Sequence, residues 1–159
     1  MLACLALSAC AWVSLHLHAD PALHTAALFV HLASLILGFG AVLVADYYAL
    51  LWMSGRCALR ETLESAARLH VPIWSGLVGL VVSGAMLHPD LASDLTRTKL
   101  VLVLILTLNG LQAGLLSKRM HGEATSLARR TLIWGAATAL VSQICWWGAV
   151  VIGFTNSQH

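Results

Sequence analysis

Eight histidines are spread through a chain with only seven carboxylates and nine lysines and arginines. Neutral imidazole is the commonest metal ligand among side chains, so the positions of these eight decide what chemistry is open. His16, His18 and His24 share the stretch HLHADPALH, and His31 opens a long apolar run. His70 follows Arg68 and Leu69, and His88 stands before Pro89. The run that His31 opens also holds Gly38, Gly40 and an ionisable group, Asp46, before it closes on Tyr47, Tyr48 and Trp52. An ionisable side chain inside a spanning segment is costly, which makes it a functional candidate.

The elements that must position these groups follow from composition. Hydrophobic residues make up 59% of the chain and charged residues 10%, against about a quarter charged in soluble domains. The expected fold class is an all-α integral membrane protein with lipid as its first partner. A length of 159 residues suits four or five spans of about 20 residues each, arranged as a single transmembrane domain over 1–159. Residues 1–18 are expected to form a short first helix, because no basic residue precedes the apolar stretch as a signal peptide would require. Four core helices are expected over 25–53, 70–88, 98–116 and 132–154. HLHADPALH is read as a polar connection broken at Pro21, and the charged residues between Arg56 and Arg68 as a short amphipathic helix in the interface. Pro72 is placed in the first turn of the 70–88 helix, where its missing donor is tolerated.

Seven of the nine basic residues fall in the second and fourth connections, and only Arg97 and Lys99 in the third. Lys and Arg collect on the cytoplasmic side. This predicts a cytoplasmic N-terminus and an outward C-terminus, in a bacterial inner membrane. A formal charge of +2 is too small to suggest nucleic acid. The four cysteines contain no CxxC and read as apolar fillers. Small residues four apart, at Ser75 and Gly79, Gly110 and Gly114, and Gly135 and Ala139, are expected to let helices pack closely.

Depth decides which polar groups can meet. On a rise of 1.5 Å per residue, His31 and His70 are roughly 20 Å apart along the membrane normal and cannot share a metal. Six of the eight histidines fall on the expected outer side. There His31 and His88 lie at matching depth and could hold a haem iron between them, while Arg97 and Lys99 stand level with them as charge-assisted donors for the propionates. The structural alternative is that His31 bonds a carbonyl within the bundle and His88 merely ends its helix. His16, His18 and His24 form a second candidate, for copper or zinc, since imidazole suits both; an ordinary polar connection is the alternative. On the inner side Asp46 and His70 form a candidate polar pair, either a clip between helices or a proton-handling pair. Asn109, Gln112 and Gln143 fall near mid-bilayer, where amides bridge helices or line a cavity.

The histidine at the head of a long first core helix, the triplet Arg68, Leu69, His70 ending a basic connection, and the Lys99-Leu100 pair opening a later helix resemble HemJ-type protoporphyrinogen IX oxidases and the broader CopD-like small membrane proteins. The resemblance covers roughly residues 25–154. It implies a four-helix membrane bundle with b-type haem or a porphyrin near its outer side, His31 as axial ligand and Lys99 close to the tetrapyrrole. Its tyrosine after Arg-Leu is His70 here, and Asn109 and Gly110 occupy the place of its Tyr-His. What carries over is therefore tetrapyrrole binding rather than the oxidase reaction.

Three functions are thus expected in competition. The first is binding of haem b or a related tetrapyrrole, in electron transfer or tetrapyrrole handling. The second is a non-catalytic structural or accessory subunit of a larger respiratory or photosynthetic membrane complex, or self-assembly. The third is handling of copper or zinc.

Overall fold

The computed structural model describes residues 21–87, 93–122 and 129–156. Four α-helices account for nearly all of them: α1 (Pro21–Met53), α2 (Leu59–Met86), α3 (Asp94–Gly122) and α4 (Arg129–Asn156). Each contains a stretch long and apolar enough to cross a membrane. The fifth span expected over 1–18 lies outside the described residues. α1, with 33 residues, is about 50 Å long against a hydrocarbon core of about 30 Å. Helices of this length carry their ends through the headgroups.

That excess length corrects the expected boundaries. α1 begins at Pro21 rather than at residue 25. Pro21 is not a break but the first helical residue, where its fixed φ suits the turn, and His24 is helical instead of lying in a loop. The interfacial helix and the 70–88 helix are one element, α2, which starts at Leu59 and runs through Pro72. α3 and α4 likewise extend beyond 98–116 and 132–154. Hydropathy sets the limits of the apolar stretch, whereas backbone hydrogen bonding sets those of the helix, and charged residues continue a helix readily once it has left the hydrocarbon.

The chain divides into two compact units, Met1–Pro89 and Asp90–His159, each built on an antiparallel helix pair. In the first, α1 ends in a Schellman motif: the Gly55 N–H donates to Trp52 O at 2.9 Å and the Arg56 N–H to Leu51 O at 2.9 Å. Gly55 has φ +72°, a left-handed conformation that favours glycine. Thr62 then ties the start of α2 to α1 by donating to Tyr48 O at 3.3 Å.

Further along, the two backbones come into direct contact. A Cβ on Gly76 would collide with the Gly38 backbone and stand 2.7 Å from Ser34 O, and one on Gly79 would collide with the Ser34 hydroxyl. The close-packed residues of α2 are therefore Gly76, Gly79 and Ser83; of the expected pair Gly79 packs as anticipated, whereas Ser75 is exposed. In the second unit Leu102 of α3 lies over Gly148 of α4, and the Asn109 amide donates to Thr138 O at 2.9 Å. Nothing lies within 4 Å of a Cβ on Gly135, so the expected Gly135–Ala139 face packs on no described residue at that glycine.

Large apolar side chains cover the outside: Phe29 and Ile36 are each about three-quarters exposed. Such a surface suits hydrocarbon and would be an aggregation liability in water.

The glycine contacts predict a graded response to alanine. Gly76→Ala meets backbone that cannot turn aside and should destabilise the α1–α2 pair by at least the roughly 1–3 kcal/mol typical of overpacking. Gly79→Ala meets a serine hydroxyl that can rotate, and should fall at the low end of that range. Reversible unfolding in bicelles would rank the two, and equal effects would contradict the contact described.

Candidate functional site

His31 is the sequence-predicted residue that the structure places in the most defined surroundings. It lies about a third of the way along α1, facing α2, and is half-buried. Its Nδ1 is 3.0 Å from the Oγ of Ser83, a side chain only 2% exposed. The ring also lies against Gly84, where a Cβ would stand 3.4 Å from Cε1 and 3.7 Å from Nδ1. A side chain at position 84 would crowd the imidazole.

The direction of the hydrogen bond follows from the serine. Ser83 Oγ is 2.5 Å from Gly79 O, four residues back on its own helix. The hydroxyls of Thr98, Thr107 and Thr155 return their protons to the i−4 carbonyl in the same way, a common habit of helical Ser and Thr. With its one proton committed to Gly79, Ser83 accepts from His31. Neutral His31 therefore carries its proton on Nδ1 and its lone pair on Nε2. A hydrogen bond that fixes one ring nitrogen is how metal-ligating histidines are usually oriented.

The other expected residues fall as follows. His16, His18 and His88 lie outside the described residues. His24 is exposed on the first turns of α1. His70 and Ser83 are on one helix, thirteen residues or roughly 20 Å apart, which keeps His70 away from His31. Asp46 and His70 are both half-buried and sit in the same stretch of the hairpin, between the Gly38–Gly76 contact and the Thr62–Tyr48 bond. Arg97 and Lys99 leave α3 in different directions, as residues two apart on a helix must. Arg97 is exposed and 3.8 Å from Asp94. Lys99 is half-buried and turned toward α4, its Nζ 3.8 Å from where a Cβ on Gly153 would be. No group of three or more His, Cys, Asp or Glu side chains is arranged to hold a metal ion among the described residues. Of the three amides expected near mid-bilayer, Asn109 bridges α3 to α4.

Ser83 is the residue that sequence reasoning missed. The signal was present, because a short turn at Gly55 pairs His31 with the region of Ser83. Starting the second core helix at His70 concealed that register.

Compared with known protein families, curated proteins and solved structures, the chain matches none.

Nitrogen NMR of ¹⁵N-histidine-labelled protein at pH 8 should give His31 a protonated Nδ1 and an unprotonated Nε2. Ser83→Ala should abolish that preference and cost about 1–3 kcal/mol, the usual penalty for a buried donor left without its acceptor. A protonated Nε2 in the unsubstituted protein would reverse the assignment.

Proposed function

We propose that this chain is a small polytopic protein of a bacterial inner membrane that binds b-type haem or a related tetrapyrrole near its outer face, in electron transfer or tetrapyrrole handling. The observation that carries the reading is the imidazole of His31, fixed through Nδ1 by Ser83 and packed against Gly84 within the apolar α1–α2 pair. Bound haem would supply one-electron chemistry. The protein's part is to orient His31, to keep its Nδ1 proton engaged and to surround it with apolar helix surface. That apolar setting raises the weight of each remaining dipole. His88 is the proposed second ligand.

A second reading, as a non-catalytic subunit of a larger respiratory or photosynthetic complex, is favoured by Gly135. This glycine lies within a span and has open space beside it, where membrane helices usually use glycine to receive a neighbour.

Absorbance of the purified protein, oxidised and then dithionite-reduced, distinguishes the two. The haem reading expects a Soret band that sharpens and shifts on reduction, and that His31→Ala removes or displaces. A colourless preparation that stays colourless after reconstitution with haemin leaves the accessory reading. A band indifferent to His31→Ala excludes His31 as the ligand.

A further inference from the structure

The second unit contains a cavity that the haem reading does not use. It lies between α3 and α4, has a volume of about 300 Å³ and is lined by Ile105, Leu108, Asn109, Gln112, Trp134 and Thr138 among others. That volume is at the lower end of small-molecule sites, which run from about 300 to 1,000 Å³. Trp134 stands four residues into α4 from Arg130, and Val141, which also lines the cavity, eleven, so the cavity runs from roughly 6 Å to roughly 17 Å beyond the basic end of the helix. It therefore starts in the interface and reaches into hydrocarbon.

Its polar groups are few, neutral and unevenly satisfied. The Asn109 amide is engaged with Thr138 O. One turn away, the Gln112 side chain makes no hydrogen bond to any described residue, and neither does the indole of Trp134, which is about half exposed. A primary amide facing hydrocarbon without a partner is expensive. A ligand that brings an acceptor removes that cost. No charged side chain lines the cavity, so phosphates and carboxylates find no counter-charge. The indole offers a flat face to a planar ring.

We propose that this cavity binds the head of a lipid-soluble quinone, with the Gln112 amide donating to a ring carbonyl and the ring lying against Trp134. The ligand enters from the bilayer, in which its tail is dissolved. This site belongs to the second unit alone and stands whether or not His31 binds haem. An ester carbonyl of a phospholipid has the same acceptor chemistry, so the test must separate the two sources.

The full chain is reconstituted in nanodiscs of ether-linked phospholipid, which lacks ester carbonyls, and irradiated with an azido-ubiquinone analogue; labelled peptides are then mapped by mass spectrometry. Label should concentrate in residues 105–112 and 134–141, be competed away by decylubiquinone, and fall at least tenfold in Gln112→Leu. That variant removes a polar group from a lipid-exposed position and should fold; an unchanged circular dichroism spectrum and gel-filtration profile would establish this. Trp134→Phe keeps an aromatic face and should lose less label than Gln112→Leu. Label distributed over all four helices, failure of competition, or wild-type labelling of Gln112→Leu overturns the proposal. Labelling in ether lipid that drops more than tenfold in ester-linked lipid would also overturn it, by assigning the cavity to the phospholipid carbonyl.

Discussion

Where Gly76 meets Gly38, the backbones of α1 and α2 touch with no side chain between them, and the rest of the first unit depends on that contact. Lipid tails are as apolar as leucine, so burial from water does not drive helices together within a bilayer. Dispersion between closely fitted surfaces and a few internal hydrogen bonds must hold the pair. Glycine allows the fit, and the fit fixes the register: once Gly38 is set against Gly76 and Ser34 against Gly79, His31 can meet only the turn that holds Ser83 and Gly84. The precision of the imidazole's environment is inherited from residues that have no functional group at all.

Within that frame, the chain from His31 Nδ1 through Ser83 Oγ to Gly79 O is a polar thread in an apolar wall. Each member satisfies the next, which is the condition under which buried polar groups stabilise rather than cost. The second unit solves the same problem differently. There one amide, Asn109, crosses to a carbonyl that already serves its own helix, and hydrogen bonds of this type contribute modestly in membranes, on average about 0.6 kcal/mol. The first hairpin thus combines close backbone contact with a locked side chain, and the second includes Leu102 over Gly148 and the Asn109 bridge.

The number of spanning helices among the described residues was legible from composition and apolar run length, because those are the quantities a bilayer selects. The identity of His31 as a residue facing another helix was legible too, since a histidine one-third of the way into a span has to find a partner. Helix ends were not. In a string of letters Pro21 looks like a break and Pro72 like the first turn of a helix, yet the first occupies an N-terminal turn that never needed its N–H, and the second is carried inside a long helix. Misplacing the start of α2 at His70 lengthened the apparent turn and hid the pairing of His31 with Ser83. The choice between Gly76 and Ser75 as the contact residue was also out of reach, because spacing by three or by four fits the same face and only the crossing geometry selects between them.

Pro72 has a consequence beyond the boundary it obscured. It cannot donate to Arg68 O, so α2 lacks one rung of its ladder at the point where the charged third of the helix joins the apolar part. Four residues further on, Gly76 is clamped against α1. Any bend at residue 72 is therefore confined between two fixed points, the Thr62 hydroxyl on Tyr48 O before it and the Gly76–Gly38 contact after it, and a partner that grips Arg60 or Glu64 would load the first of these anchors before the imidazole more than 25 Å away along the same rod.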